Sequence, residues 1–257
     1  MRLGDLLSGK KAVKAFETLT ARAAGDAANR EVLELASKAA HKFRIYFPDE
    51  DTIVGGKLMH ARRKYTKHMI FFSAGKIYRF RCFRAANRIG KTEAAAYEVT
   101  CHLTGIYPDW WDGKVFTEPV EVWASNISWE KVRDVNQAAL LGNPQKPEEI
   151  GSGFIPRELI VRHNYHGFSK FGMDTVAVRH VKGGTSLVQF KAYTQGAESF
   201  ESNAKHVIWN DEEVPADVNS ACEMRIMTVD GIVILTYTPV LGLTEVTEMY
   251  DKEGDKL

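Results

Sequence analysis

The chain has 257 residues, of which 44% are hydrophobic and 26% are charged, a composition typical of a globular protein long enough to bury a core. No apolar run approaches the roughly 18–20 residues that span a bilayer, and residues 1–19 lack the uninterrupted apolar segment of a signal peptide. The three cysteines, Cys82, Cys101 and Cys222, match neither a zinc-ligand pattern nor a disulfide framework. We therefore expect free thiols, no membrane span and a reducing compartment.

The net charge of +1 conceals an uneven distribution of charged residues. Residues 1–91 carry 20 Lys and Arg against 8 Asp and Glu, whereas residues 92–257 carry 14 against 25. The stretch 52–92 contains eleven basic residues and no acidic one. Such a segment favours contact with a polyanion. The alternative is that the two halves of the chain fold together and neutralise each other.

The first elements along the chain are two predicted helices. Apolar residues recur at helical spacing over residues 3–19 and again from about residue 29 to residue 43, with Gly25-Asp26 between them. Residues 46–56, "YFPDEDTIVGG", then interrupt the pattern with a proline, three acidic residues and a glycine pair. We predict an N-terminal helical hairpin at 1–46 and a second domain at 47–257.

Strand-like and helix-like segments alternate in the second domain. A helix is predicted to end at Gly75, and the segment "IYRFRCFRA" that follows is a predicted strand. Further helices are predicted at 91–104 and 128–141, and residues 142–174 are predicted to form a loop. The other predicted strands are 120–126, 175–181, 186–193, 206–214 and 231–239. This alternation predicts an α/β fold with a largely parallel central sheet flanked by helices.

A candidate phosphate-binding loop lies between a predicted strand and a predicted helix. The standard pattern is G-x-x-x-x-G-K-[ST]; here its second half is intact, and Ala85 replaces the first glycine. Backbone N–H groups at the start of the helix would bind the phosphates. Lys91 would reach the β- and γ-phosphates, and the Thr92 hydroxyl would bind Mg²⁺. The predicted nucleotide-binding residues are Ala85, Ala86, Asn87, Arg88, Ile89, Gly90, Lys91, Thr92 and Glu93.

A pair of carboxylates follows a later predicted strand. In "VIWNDEE", residues 207–213, Asp211 is the candidate that supports Mg²⁺, and Glu212 is the candidate base that orients the attacking water. The pair lies 119 residues after Thr92 along the chain, on another strand, as a phosphate-loop hydrolase requires. The alternative is an acidic surface loop after an edge strand. The combination with Gly90-Lys91-Thr92 favours the catalytic interpretation.

The linked set of segments resembles one known family. "AANRIGKTEAAAYEVTCHLTGIYPDWW", "VIWNDEEVP" and "ILTYTPVLGLTEV" together look like the ATPase domain of large terminase subunits, the genome-packaging motors of tailed bacteriophages. The resemblance covers most of residues 46–250. It implies a RecA-like phosphate-loop ATPase in which Asp211 supports Mg²⁺ and Glu212 activates water.

The resemblance also implies roles for residues outside these two motifs. Arg88 corresponds to a loop arginine that contacts the γ-phosphate region, although it lies one place nearer the glycine than in several relatives. Thr236 and Thr238 correspond to a coupling motif that senses hydrolysis; a strand end with a turn-forming proline is the alternative. His68 stands in the region ahead of the loop that contacts adenine.

The resemblance implies that the protein is part of a motor. ATP hydrolysis with Mg²⁺ would drive double-stranded viral DNA into a procapsid in the host cytoplasm. The partners would be DNA, the portal protein, the small terminase subunit and further copies of this chain in a ring, with no membrane. Full-length members also carry a C-terminal nuclease domain. We find no counterpart of it here and predict no nuclease activity.

Three alternatives remain open on the residues alone. A helicase-like ATPase would normally need a second RecA-like domain and would unwind nucleic acid. A small-molecule kinase would release a phosphorylated product, and would not usually need the acidic pair. A nucleotide-binding regulatory module would release no phosphate.

For other conspicuous residues, both a functional and a purely structural interpretation are available. Trp110 and Trp111 would stack on bases or, more commonly, pack on the core. His163 and His166 resemble a sparse metal pair, but a surface loop is the favoured interpretation. The basic segment 57–68 would contact DNA phosphates; contact with nucleotide phosphates and a solvated helix face are the alternatives. The candidates for an arginine that reaches a neighbouring subunit's nucleotide are Arg157, Arg162, Arg179 and Arg225.

Overall fold

The computed structural model describes residues 41–54, 57–165, 172–239 and 244–254. The chain divides into two compact units, Met1–Met69 and Ile70–Leu257. Most of the predicted hairpin at 1–46 lies outside the described residues. The predicted domain boundary at residue 46 therefore stays a prediction. The division into compact units falls later, between Met69 and Ile70.

The described part of the first unit is a small arrangement of short elements. Helix α1 (Lys42–Ile45) precedes the antiparallel pair β1 (Thr52–Val54) and β2 (Lys57–Met59). Helix α2 (Thr66–Ala74) begins in this unit. The Asp51 carboxylate accepts hydrogen bonds from the backbone N–H of Ala61 at 2.8 Å and from the Lys64 ammonium at 2.5 Å. These bonds connect the loop before β1 to the segment after β2.

The second unit is built around a seven-stranded sheet with the order β3-β9-β8-β4-β7-β6-β5. The first five strands in this order pair in parallel, and the last two pairings are antiparallel. The predicted α/β fold with a mostly parallel sheet is therefore confirmed. The strands are β3 (Phe80–Arg84), β4 (Glu121–Asn126), β5 (Ile160–Tyr165), β6 (Met173–Arg179), β7 (Thr185–Ala192), β8 (Val207–Asp211) and β9 (Ile232–Tyr237).

Helices accompany the sheet between its strands. All residues of β8 and β9 are buried, as expected for central parallel strands covered on both faces, and this explains their nearly continuous apolar sequences. The helices are α3 (Lys91–Thr104), α4 (Trp129–Lys131, a π-helical stretch Val132–Gln137, and Ala138–Leu141), α5 (Ala216–Arg225) and α6 (Glu245–Gly254). None of the helices in the described ranges is long and apolar enough to cross a membrane.

The prediction that residues 142–174 form a loop is wrong in one part. Strand β5 lies within this segment and pairs with β6 at the edge of the sheet. Five of its six residues are exposed, so it lacks the alternation of apolar and polar residues that marks a half-buried strand. The pairing with β6, rather than a sequence pattern, defines this strand.

A buried ion pair joins β3 to α3, the two elements on either side of the candidate phosphate loop. The Arg81 guanidinium donates to Glu98 Oε1 at 2.6 Å and to Oε2 at 3.1 Å, and it also donates to the Phe71 carbonyl at 2.7 Å. The side chains of Arg81 and Glu98 are 3% and 0% exposed. Burial pushes the pKa of Glu98 upwards, but the charge of Arg81 and the hydrogen bond from His102 outweigh it and hold the pKa below the ordinary value. The pair therefore contributes stability at neutral pH that is lost on acidification.

The C-terminal end of α3 depends on a glycine. Gly105 has φ +69°, and its N–H donates to the Cys101 carbonyl at 2.8 Å. A Cβ at this position would lie 2.4 Å from His180 Nε2. We expect Gly105→Ala to lower the free energy of unfolding by about 2–4 kcal/mol, because left-handed backbone strain adds to the displacement of a packed ring. Urea denaturation would measure the loss.

Gly196 provides a comparison in which no side chain is displaced. It has φ +78° and ψ 164°, a backbone region that is almost confined to glycine, and nothing lies within 4 Å of a Cβ built there. Gly196→Ala should therefore lose about 1–3 kcal/mol from backbone strain alone. A loss for Gly105→Ala that does not exceed left-handed strain, about 1–2 kcal/mol, would contradict the proposed clash with His180.

Candidate functional site

The candidate phosphate loop connects the C-terminal end of β3 to the start of α3. Gly90 has φ +85° and immediately precedes the helix, and Arg88 has φ +64°. Left-handed conformations at these two positions turn the chain sharply, so that α3 starts close to the edge of the sheet. The backbone N–H groups of the first turn of α3 have no intrahelical partner, and the helix dipole places partial positive charge there. This end of α3 is therefore suited to an anion.

Lys91 lies at the first position of α3 and points back over the loop. Its ammonium donates to the carbonyls of Ala85 and Ala86, both at 2.9 Å, and to Thr238 Oγ1 at 2.9 Å. Burial lowers the pKa of Lys91, while the nearby carboxylates of Glu212 and Asp211 oppose part of this shift. The loop thus surrounds one cation with oxygen atoms from two distant segments of the chain.

Thr92 and Asp211 converge although they are far apart in the chain. The Thr92 hydroxyl donates to Asp211 Oδ1 at 3.2 Å and lies 3.4 Å from Oδ2, across a separation of 119 residues. Topology explains the convergence. Asp211 ends β8, which is separated from β3 only by β9, and parallel strands bring their carboxyl ends to one edge of the sheet. The side chains of Lys91 and Asp211 therefore lie on the same side of the sheet edge.

Burial has a strong effect on the Asp211 carboxyl group. The residue is 2% exposed. Burial raises its pKa to about 7; the Thr236 hydroxyl opposes the shift and the Glu212 charge adds to it. A buried carboxylate that carries this desolvation penalty gains from a cation placed beside it. Together with the Thr92 hydroxyl it forms a pair of oxygen donors, the ligand type that Mg²⁺ prefers.

Glu212 follows β8 directly and is only half-buried. It adopts φ +65°, a left-handed conformation that is rare for a residue with a side chain. Its N–H donates to the Thr236 carbonyl at 2.7 Å. The turn places Glu212 at the same sheet edge as Asp211, next to the loop residues. Glu213, the next carboxylate, is also half-buried.

Thr236, near the end of β9, and Thr238, just beyond it, contact different parts of the site. Thr236 accepts a hydrogen bond from Trp209 Nε1 at 2.9 Å and donates to Asp211 Oδ1 at 2.6 Å. The Thr238 hydroxyl accepts a hydrogen bond from the Lys91 ammonium and donates one to Asn87 Oδ1 at 2.8 Å. The segment therefore connects the loop to the carboxylate, a position suited to the coupling role that stays a prediction.

Two residues at this edge were missed by the sequence analysis. Asn126, at the end of β4, is fully buried and donates to Asp211 Oδ2 at 3.3 Å and to Asn136 Oδ1 at 2.9 Å. Tyr193, immediately after β7, donates from its hydroxyl to the Asp211 carbonyl at 3.0 Å. Polar residues at the ends of predicted strands were the available signal. Only the strand order shows which of those ends meet.

Three further residues were predicted to bind the nucleotide. His68 belongs to the first unit, where its ring lies 5.4 Å from that of Tyr65 and 6.1 Å from that of Phe47; its adenine contact stays a prediction. Ile89 is exposed on the loop, and Glu93 lies in the first turn of α3.

The tryptophan pair packs against the protein. Trp110 stacks on Tyr97 with ring centroids 6.0 Å apart, and Trp111 lies 5.1 Å from the Phe72 ring while its Nε1 donates to the Lys114 carbonyl at 3.0 Å. These contacts favour the core-packing interpretation over stacking on bases.

The histidines and arginines singled out in the sequence are dispersed. His163 lies in the exposed strand β5, and His166 falls outside the described residues. The described residues contain no group of three or more His, Cys, Asp or Glu that would hold a metal. Arg157 donates to the Ile150 and Pro147 carbonyls and Arg225 donates to the Ser202 carbonyl, whereas Arg162 and Arg179 are exposed. A role for any of these arginines in a neighbouring subunit stays a prediction.

Comparison with known proteins identifies the family. The model of the family described as terminase large subunit, T4likevirus-type, N-terminal, matches residues 82–256. The chain belongs to this large terminase subunit family. The large terminase subunit of Salmonella phage P22 is 32% identical to it over 225 residues, a match that covers 81% of this chain and 45% of that protein. The chain thus spans less than half the length of this relative.

Solved structures of large terminases share the fold. The large terminase of a thermophilic bacteriophage gives a TM-score of 0.52 at 11% identity, covering 76% of this chain and 43% of that one. The large terminase of bacteriophage HK97 gives a TM-score of 0.50 at 14% identity, and the match covers 82% of this chain and 40% of that one. At these identities the likeness supports the RecA-like α/β architecture and carries no information on individual side chains.

Proposed function

We propose that this member of the large terminase subunit family hydrolyses ATP with Mg²⁺ and uses the energy to move double-stranded DNA into a procapsid. The observation that carries the proposal is the approach of the Thr92 hydroxyl to the Asp211 carboxylate, 3.2 Å apart, beside the Lys91 ammonium. A cation, a hydroxyl and a carboxylate around one helix N-terminus are the groups that a magnesium–nucleotide complex requires.

The donor set fits ATP and Mg²⁺. Magnesium usually retains several waters and binds through one or two carboxylates and the nucleotide phosphates. This agrees with a site that has Asp211 and Thr92 but, among the described residues, no metal-binding cluster of three or more acidic, histidine or cysteine side chains. The metal would supply charge neutralisation between the phosphates.

The residues of the chain would act mainly by positioning. Lys91 and the backbone N–H groups at the start of α3 would hold the β- and γ-phosphates, with Arg88 near the γ-phosphate. Glu212 would orient a water molecule and accept its proton. Thr236 and Thr238 connect the Asp211 carboxylate to the Lys91 ammonium, so exchange of these bonds during turnover would shift the end of β9. Such positioning and charge stabilisation account for most of the catalysis of phosphoryl transfer.

Membership of the family supports a set of partners that belongs to the same proposal. Double-stranded DNA would be the cargo, and the portal protein, the small terminase subunit and further copies of the chain in a ring would complete the motor. Assembly would take place in the host cytoplasm. Phosphate release that increases with double-stranded DNA, without strand separation, would distinguish this motor from a helicase.

Replacement of Lys91 tests nucleotide binding. We expect Lys91→Met to weaken ATP binding by about 10- to 100-fold, because charge-assisted hydrogen bonds contribute about 1.5–3 kcal/mol. It should also abolish measurable phosphate release. Titration with a fluorescent ATP analogue would measure the affinity.

Lys146→Met is the control for this variant. Lys146 is exposed and pairs with Glu149 at 2.7 Å, away from the loop. The Lys146→Met substitution should therefore leave the affinity for ATP unchanged. Equal affinity of the Lys91→Met variant and the unsubstituted chain would contradict a phosphate-binding role for Lys91.

A further inference from the structure

The turn after β8 holds a residue in a conformation that costs energy. Glu212 has φ +65°, whereas side chains with a Cβ strongly favour negative φ. Such a conformation persists only where the surrounding structure holds it. The contacts that hold this turn therefore decide where the Glu212 carboxylate points.

The two peptide groups next to Glu212 are both restrained. In the preceding peptide, the Glu212 N–H donates to the Thr236 carbonyl at 2.7 Å, and the Asp211 carbonyl accepts from the Tyr193 hydroxyl at 3.0 Å. In the following peptide, the Glu212 carbonyl lies 3.4 Å from the same hydroxyl. Tyr193 thus contacts both carbonyls on either side of the Glu212 Cα atom.

Tyr193 is itself firmly placed. It begins a 3₁₀ turn directly after β7, is 5% exposed, and packs in the core with its ring 6.4 Å from that of Phe200. A tyrosine hydroxyl is protonated at neutral pH, so the group remains a hydrogen-bond donor. A rigid, buried donor is suited to fixing a strained turn.

We propose that Tyr193 is a positioning residue that holds Glu212 in its left-handed conformation and so aims the Glu212 carboxylate. The inference rests on the proposed function, in which Glu212 is the base. Tyr193 reaches no reacting atom and acts through the backbone of the Asp211–Glu212 turn. Its loss should therefore reduce the chemical step more than nucleotide binding.

Tyr193→Phe removes only the hydroxyl and tests this role. We expect kcat for ATP hydrolysis to fall by about 10-fold or more, because small displacements of a catalytic group are costly, while KM for ATP changes by less than about twofold. Incorporation of 4-aminophenylalanine at position 193 restores a donor at the same place and should restore most of kcat.

Tyr107→Phe is the matched control. The Tyr107 hydroxyl accepts from the Phe116 N–H at 2.9 Å and lies 2.9 Å from His102 Nδ1, beyond the C-terminal end of α3. Since α3 has 14 residues, this place is about 20 Å from Lys91. Tyr107→Phe should change the free energy of unfolding by an amount similar to that of Tyr193→Phe and leave kcat unchanged.

A crystal structure of the Tyr193→Phe variant provides a readout independent of activity. We expect residue 212 to leave φ near +65°. Retention of that φ overturns the proposal, and so does a kcat within about twofold of the unsubstituted chain. The crystal structure tests the role of Tyr193 whether or not Glu212 is the base. The assignment of Glu212 as the base is tested separately, by the rate of ATP hydrolysis of the Glu212→Gln variant.

Discussion

Glu212→Gln is expected to reduce the rate of ATP hydrolysis by at least about 100-fold while ATP affinity stays within about threefold of the unsubstituted chain. Glutamine keeps the size and hydrogen-bonding reach of the side chain but cannot accept a proton, and general-base catalysis contributes about 10²–10⁴-fold. Binding should persist because the predicted phosphate contacts come from Lys91 and the start of α3. Phosphate release and fluorescent-nucleotide titration on the same preparation would measure both quantities.

Glu213→Gln is the control for this variant. Glu213 is the neighbouring carboxylate and is half-buried, as Glu212 is. Its replacement changes the charge by the same amount at nearly the same place, so an electrostatic effect alone would appear in both variants. Hydrolysis by the Glu212→Gln variant at a rate close to that of the unsubstituted chain would show that the base lies elsewhere.

Arg81→Met is expected to lower the free energy of unfolding by about 3–5 kcal/mol, the typical loss when one partner of a buried ion pair is removed. The fully buried Glu98 carboxylate would keep its contact with His102 Nε2 at 3.3 Å and lose both bonds from the guanidinium. The Phe71 carbonyl would lose its bond from Arg81 as well. Urea denaturation at neutral pH would measure the effect.

Two further variants show whether the loss comes from the unpaired charge. Addition of Glu98→Met should recover a large part of the stability, because removing both partners leaves no buried charge. Lys76→Met, which breaks an exposed pair with Asp112, should cost less than about 1 kcal/mol. A loss below about 1 kcal/mol for Arg81→Met would refute the claim that this pair holds β3 to α3.

Arg81 and Glu98 also link stability to the candidate site. β3 ends at Arg84 and α3 begins at Lys91, so the pair fixes the two elements between which the phosphate loop runs. A variant that weakens this connection is therefore expected to disturb the loop even where the fold survives. Nucleotide affinity of the Arg81→Met variant in its folded fraction would report this effect.

The sequence predicted those parts of the fold whose environment leaves a local pattern. β8 and β9 are buried on both faces, and their apolar runs marked them as strands. The loop and α3 were predictable because glycine, lysine and a helix-forming segment follow one another directly. The edge strand β5 was not, because exposure of five of its six residues removed the apolar pattern.

The geometry of the candidate site could be predicted from sequence only where its residues are adjacent in the chain. Asp211 and Glu212 follow one another at the end of a recognisable strand, and Thr236 and Thr238 lie at and just beyond the end of the next strand in the sheet. Asn126 reaches Asp211 across 85 residues, and no local pattern specifies that pairing. It arises because β4 lies beside β8 in the strand order, a property of the tertiary fold.

Tyr193 is a different case, because its effect depends on backbone conformation. A left-handed φ at Glu212 has no signature in the sequence "WNDEEV", since glycine and asparagine are the residues that normally announce it. Only the backbone dihedral angles and the hydroxyl contacts show that the turn is restrained. Residues that act by holding a neighbour are consequently the hardest to infer from sequence.

A crystal structure of this chain with a non-hydrolysable ATP analogue and Mg²⁺ tests the convergence of Lys91 and Asp211 most directly. We predict the triphosphate at the N-terminus of α3, the Lys91 ammonium on phosphate oxygens in place of the Ala85 and Ala86 carbonyls, and the metal between Thr92 Oγ1 and the Asp211 carboxylate. Clear density for the analogue at any other place, with Lys91 still bonded to the loop carbonyls, would contradict this prediction.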